Sequence, residues 1–470
     1  MKLNKKNLNY LILNILLVID LVPLYFIKNN VFWSLLYTVF NIIIISLLCF
    51  KMNDNLLFVL FCFLFFTYSY GIEVLIHYLN RNTFIEMQYL SFVPLLFLFF
   101  RRKKKNTINK TALLCIFYLM LNFLIVLISN KTPLLYFLKS IIPYISVFIA
   151  YYAVKDKEID IIPLFKFILF VSIFMSTIQF FLHFHQDTRN GIFGINGISI
   201  FSLFVTTYSV YCYTNWLRKR GQISKLIFSI LLAVYILSII ENKAGIIIYF
   251  VSLILIPVLS RRISFKTLIS VILFLLLLPY AYKILIFFNP KFYYLMDFNR
   301  ISSYFFGNNN WGVFKYGRFE SLRIVFNELD TMVKLFGSGI GCSTPTSRIF
   351  YIEAGRELYL PYYTVLYGYY HGFILTGIST LVLDGGILLL SIVTLYMIRT
   401  FKKIFKEINI VDNSNLYKLS AIRFNAFLLL MFYLIYSNIF TSYRFLIVIG
   451  CLMGLSCECL DYKEIGDKNE

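Results

Sequence analysis

Residues 267–288 read TLISVILFLLLLPYAYKILIFF, and Asn289-Pro290-Lys291 end that apolar run abruptly. Roughly 20 apolar residues are what a helix needs to cross a hydrocarbon core of about 30 Å. Inside such a core every backbone N–H and C=O must be satisfied within the segment, so the run reads as a helix. It is continuous rather than alternating, which argues against a strand. The whole chain is written this way: 60% of residues are hydrophobic, only 14% are charged, and mean hydropathy is +0.77. Ordinary soluble domains carry about 25% charged residues, so the class is a polytopic all-α integral membrane protein.

Working outward from 267–288, the pattern predicts about fourteen spans. They fall near 8–27, 31–50, 56–76, 84–100, 111–129, 134–154, 161–184, 197–216, 226–240, 245–259, 267–288, 373–398, 421–437 and 443–459. The chain thus divides into a block of eleven spans (1–288), one long polar loop (289–372) and a last block of three spans with a short tail (373–470). Charge orients the array. With both termini cytoplasmic, the inner segments hold Lys2, Lys5, Lys6, the run 101–105, Arg218, Arg220, Arg261, Arg262 and the cluster from Arg399 to Lys406. The outer turns keep only Lys28, Arg81, Lys131, Arg189 and Lys243. This positive-inside asymmetry puts the long loop on the extracytoplasmic face. It also explains the net charge of +21 through lipid headgroups and orientation, with no call for nucleic acid.

The basic start and first apolar run mimic a signal peptide, but no A-x-A-like cleavage site follows, so the first span reads as retained. Of the eight cysteines only Cys342 falls in the long loop, which excludes a disulfide framework there. The loop is cationic, with Lys291, Arg300, Lys315, Arg318, Arg323, Lys334, Arg348 and Arg356 against six acids, and it is tyrosine-rich from Tyr351 to Tyr370. Within it, residues 317–336 predict one amphipathic helix, since Phe319, Leu322, Val325, Phe326 and Leu329 recur at helical spacing. Gly337-Ser338-Gly339-Ile340-Gly341 follows and reads as a tight backbone turn. No strand precedes it to support a dinucleotide fold.

Gly317-Arg318-Phe319-Glu320-Ser321-Leu322, followed by Leu335-Phe336-Gly337-Ser338-Gly339-Ile340-Gly341, resembles the loop signature of the O-antigen polymerase and ligase superfamily. Arg189-Asn190-Gly191-Ile192-Phe193-Gly194-Ile195-Asn196 resembles the short outer-loop element of that family. Glu241-Asn242-Lys243-Ala244-Gly245 stands where the family has a serine–arginine pair, with Lys243 in the basic place. Asp384-Gly385-Gly386 is similar to the family's acidic-x-Gly. The His-Asn pair of the ligases is missing from Gly377–Ser379, and the nearest histidine is His371. The resemblance implies a GT-C-like, metal- and cofactor-independent Wzy-type polymerase in the bacterial cytoplasmic membrane. Such an enzyme joins oligosaccharide repeat units of capsule or lipopolysaccharide carried on polyprenyl (undecaprenyl) diphosphate. A flippase and a chain-length regulator are the partner proteins it implies, beside membrane lipids.

The residue types suit that chemistry. Breaking a glycosyl–diphosphate bond leaves negative charge on the lipid carrier, and fixed cations stabilise it as it develops. Arginine grips phosphate oxygens bidentately, which nominates Arg318, with Arg189, Lys243, Arg323 and Arg444 as further donors. The acceptor hydroxyl needs a general base, for which His371, Glu320, Glu353 and Asp384 are candidates, and Tyr363 and its neighbours offer flat faces to sugar rings. Each residue also has a plainer reading: headgroup contacts for the arginines, an interfacial aromatic belt for the tyrosines. Asp20, Glu73 and Arg444 inside or near spans suggest pairing around an outward-facing cavity. Two other functions remain open at this point, a lipid-linked oligosaccharide flippase or transporter and a glycan ligase.

Overall fold

A computed structural model of the chain describes residues 110–129, 134–155, 161–182, 189–193, 197–218, 221–259, 317–343, 376–409 and 414–455, with isolated positions between 95 and 99 and between 272 and 306. Among these every regular element is helical and none is a strand. The helices are α1 (Lys110–Ser129), α2 (Leu134–Val154), α3 (Ile161–Phe181), α4 (Ile198–Leu217), α5 (Ile223–Ile239), α6 (Lys243–Leu259), α7 (Arg318–Asn327), α8 (Thr331–Phe336), α9 (Gly377–Ile408), α10 (Ser414–Tyr436) and α11 (Tyr443–Gly454). Single 3-10 turns lie at Gly191–Phe193 and Ile439–Thr441. The expected spans at 8–100 and 267–288, and most of the long loop, lie outside the described residues.

Two of these helices, Gly377–Ile408 and Leu416–Tyr436, are long and apolar enough to cross a membrane, and several shorter apolar helices accompany them. The sequence spacing placed most of their ends within a few residues; α10 begins earlier, at Ser414 rather than 421, and α9 gives the most informative difference. Helix α9 continues past 398 to Ile408 on a polar stretch carrying Arg399, Lys402, Lys403 and Lys406. These are good helix formers, so the apolar limit does not end the helix.

The bundle has an inside-out polarity relative to a water-soluble fold. Phe117, Met120, Leu124, Leu127 and Ile128 of α1, Phe170 and Phe174 of α3, and Ile387, Leu388 and Leu395 of α9 all point outward and are exposed. Polar side chains sit inside. Helix α4 turns Ser202, Thr206 and Ser209 inward, where they meet Asn242, Asn425 and Tyr249 respectively. Around that ladder pack Phe165, stacked on Phe204 at 4.2 Å, and the buried rings of Phe201, Tyr213 and Phe424. Contiguous apolar surface of this extent is rare on soluble monomers.

Helix α11 packs along α2 because it offers no side chain where their backbones meet. A Cβ at Gly450 would collide with the Val147 carbonyl, and one at Gly454 would lie 2.5 Å from the Tyr151 carbonyl. This Gly-x-x-x-Gly spacing is the small-residue device by which helices approach closely in lipid. At the opposite end of the bundle from the α10–α11 link, Arg423 ties three helices. It donates to Glu407 of α9 at 2.8 Å and to the terminal carbonyls Leu452 and Leu455 of α11.

The loop helix expected over 317–336 is two helices. The chain turns at Glu328, Leu329 and Asp330, and Lys334 Nζ caps the Asn327 carbonyl at 3.3 Å. Asn327 and Asp330 are weak helix formers, and the cap rewards the break. The buried face also differs from the expected stripe: Arg318, Ser321, Ile324 and Val325 face inward, whereas Phe326 is exposed. Leu329 and Val333 reach Val382 and Leu383 of α9 through the turn.

Candidate functional site

Helix α9 is broken about two turns from its start. Gly386 adopts φ +68° and ψ −172°, a conformation open to glycine alone. A break leaves carbonyls without their helical donors, and in an apolar bundle each must find another. The Gly337–Ser343 turn supplies most of them. Ser338 N donates to Leu383 O at 2.8 Å and Gly339 N to Asp384 O at 3.2 Å. From α1, Asn122 Nδ2 also donates to Asp384 O at 3.0 Å, and Tyr118 Oη to Gly385 O at 3.1 Å. Asn122 then accepts from Ile340 N at 2.7 Å, so one amide stitches turn, break and α1 together. The turn's N–H groups are thereby engaged within the protein and are not a phosphate cradle.

Asp384 completes the joint. Its Oδ1 accepts from Ser343 Oγ at 2.9 Å and from Cys342 Sγ at 3.4 Å, while Oδ2 accepts from Tyr144 Oη of α2 at 2.9 Å. The carboxylate, buried to 2% exposure, therefore holds the end of the turn on two helices at once.

A second joint forms along residues 433–444, the end of α10 and its link to α11. Tyr433 accepts from Asn242 Nδ2 at 2.6 Å. Asn242 also donates to Ser202 and accepts from Gly245 N at 2.8 Å, so it caps α6 and docks it on α4 and α10. Tyr436 receives Arg318: the guanidinium donates to the Tyr436 carbonyl and lies 3.8 Å from the centre of its ring. A cation at a helix C-terminus meets the negative end of the helix dipole, and the ring adds a cation–π contact. Phe440 stacks on Tyr144 at 4.5 Å, linking this joint to Asp384. Arg444, at the start of α11, donates to the Phe193 carbonyl at 2.8 Å. Ser437 O accepts from Gly377 N, which brings the start of α9 to the same end.

The Phe193 segment is itself pinned. Gln179 of α3 both accepts from Gly191 N at 3.0 Å and donates to Gly191 O at 3.3 Å. Gly191 has φ +61°, and a Cβ there would strike the Ser172 carbonyl. Arg189 lies over the Phe180 ring at 5.2 Å.

The fold thus gathers Arg189, Lys243 (the first residue of α6), Arg318, Asp384 and Arg444 onto elements that share one end of the bundle. Arg318 and Arg444 are buried and grip backbone carbonyls; Arg444 joins α11 to the 189–193 loop. Glu320 is turned away from this assembly. It pairs with Arg323 at 2.7 Å, and Arg323 pairs also with Glu328 at 3.0 Å, on an exposed face of α7. The hydrogen bond from Arg323 to Glu320, with the charges of both acids, raises the arginine's pKa above its ordinary value. His371, Tyr363 and Glu353, with Asp20 and Glu73, lie outside the described residues. Among the described residues, no three His, Cys, Asp or Glu side chains converge as a metal site would require.

Sequence reading missed Asn122, Tyr118, Tyr144 and Gln179. Their signal was a lone polar group inside an apolar run, which in lipid must have a partner. Asn242 was quoted within a motif without its capping role. No protein-family model and no curated protein sequence matches this chain.

Proposed function

We propose that the chain is a polytopic protein of the bacterial cytoplasmic membrane, with about fourteen spans, that polymerises a surface polysaccharide. In this reading it transfers a growing glycan from polyprenyl diphosphate to a lipid-linked repeat unit at the outer face. The apolar outward faces of α1, α3 and α9 support the membrane part. One observation carries the chemistry: four separated segments quoted from the sequence (189–193, 242–245, 317–343 and 384–386) meet on two neighbouring joints at one end of the bundle. These segments bring Arg189, Lys243 and Arg318 onto one end of the bundle, residue types suited to stabilising a diphosphate leaving group. The basic stretch of α9 and the Arg423 joint stand at the other end, as a cytoplasmic face requires.

In the proposed reaction the acceptor hydroxyl attacks the anomeric carbon of the donor glycan. The glycosyl–oxygen bond to the carrier breaks, and the carrier diphosphate departs with the electron pair. Arg318 holds the diphosphate, Arg189, Lys243 and Arg444 shape the surrounding field, and His371 accepts the hydroxyl proton, since Glu320 is turned away and paired with Arg323. A transporter reading draws on the polar ladder along α4, which a translocation path would use.

Deletion of the gene separates the readings. Loss of a polymerase leaves single repeat units exposed outside and still attachable. Loss of a flippase traps them inside, and loss of a ligase strands long polymer on its lipid. Either of the last two results rules out the polymerase.

A further inference from the structure

We propose that residues 331–343 are a re-entrant element: α8 and the glycine turn dip from the rim into the bilayer hydrocarbon, and Asp384 anchors them there. This rests on the membrane reading above but not on the polymer chemistry.

The depth follows from the contacts. Arg318, at the start of α7, bonds the last carbonyl of α10, at the level where α9 begins. The turn at the far end of α8 bonds Leu383 and Asp384, about two helical turns or ~10 Å along α9 from its first residue. The polypeptide therefore descends between Arg318 and Gly339. It settles against Val126 of α1, beside the outward-facing Leu124, Leu127 and Ile128.

The side chains agree with that depth. Met332, Leu335 and Phe336 of α8 point away from the protein, Met332 being 71% exposed. They continue the apolar outer surfaces of α1 and of α9 at Ile387 and Leu388. The one cation of α8, Lys334, turns back to the Asn327 carbonyl, as a lysine does when its stem lies in hydrocarbon. Non-helical backbone at membrane depth survives only where its polar groups are satisfied by protein. Here Ser338, Gly339 and Ile340 each donate to a protein acceptor. The occupant of the α8 face is thus lipid acyl chain.

Cysteine accessibility in intact membranes tests this. Met332→Cys, Phe336→Cys, Glu328→Cys and Leu124→Cys are made singly in the full chain and exposed to a membrane-impermeant maleimide. The unsubstituted protein supplies the background, and labelling after denaturation supplies the total. Glu328→Cys labels, while Met332→Cys, Phe336→Cys and Leu124→Cys stay unlabelled until denaturation. If Met332→Cys and Phe336→Cys label as readily as Glu328→Cys while Leu124→Cys stays protected, the re-entrant element is refuted and the membrane reading survives. If Leu124→Cys labels too, the membrane reading itself fails. Adding Asp384→Ala to Met332→Cys raises its labelling rate about tenfold or more, since losing hydrogen bonds to a charged acceptor shifts a docking equilibrium by at least that factor. Ser343→Ala serves if that double variant does not insert. No rise in either refutes the anchor.

Discussion

Replacing Gly386 by alanine attacks the joint on which the loop rests. At φ +68° and ψ −172° an L-residue is strained by ~1–3 kcal/mol. The added Cβ would also collide with the carbonyl of Leu335, which is backbone and can yield only by moving the loop. Moving it loosens the Ser338–Leu383 and Gly339–Asp384 hydrogen bonds, each worth ~0.5–1.5 kcal/mol. The total is about 2–6 kcal/mol. Gly385→Ala is the matched control. Its φ is not positive, but its Cβ meets the Tyr118 hydroxyl and, at 2.6 Å, the Leu389 Cβ, so it loses a hydrogen bond and overpacks α9 without the backbone strain. Purified variants are heated in detergent and the fraction remaining monodisperse is measured. Gly386→Ala loses its fold at a clearly lower temperature than the parent, and Gly385→Ala lies between the two. Equal midpoints for Gly386→Ala and the parent refute the assignment of this glycine to a helix break filled by the loop.

Other joints give parallel expectations in the same assay. Gln179→Ala strands the Gly191 amide and costs ~1–3 kcal/mol, whereas Gln179→Glu keeps the acceptor and retains part of the stability. Arg423→Ala leaves the half-buried Glu407 with only Ser420 and a longer pairing to Lys403, and removes the cap of α11, a loss of ~1.5–3 kcal/mol; Glu407→Gln is milder. Gly450→Leu overpacks the α11–α2 contact against Val147 and Ala150 by ~1–3 kcal/mol, and a fully stable variant contradicts that contact.

Helix existence was legible because hydrocarbon imposes a single rule on length and backbone bonding; among the described residues α9 and α10 meet it in full, and shorter apolar helices accompany them. The turn at Gly337–Gly341 was legible too, since consecutive alternating glycines stop a helix. What the turn docks on was not. Nothing in the string Asp384-Gly385-Gly386 announces a break in the middle of an apolar run, because glycine is common in membrane helices that stay intact. The division of 317–336 into two helices was hidden for a related reason. Val325, Leu329 and Val333 keep helical spacing across the turn, so periodicity reads straight through it. Gly450-x-x-x-Gly454 went unread as a close-packing signal, because its partner helix α2 carries only ordinary apolar residues at the contact. The arginines were easy to single out by type, yet their backbone partners, the carbonyls of Tyr436 and Phe193, have no sequence signature at all.

The central claim concerns Arg318. Protein reconstituted in liposomes with a polyprenyl-diphosphate-linked repeat unit should build a ladder of longer glycans, read by gel and mass spectrometry. Arg318→Ala that inserts and folds should leave the repeat unit unextended, with Arg318→Lys restoring only a small part of the activity because an ammonium lacks the bidentate fork. A ladder of normal length and rate from folded Arg318→Ala, or none from the parent protein, contradicts the account.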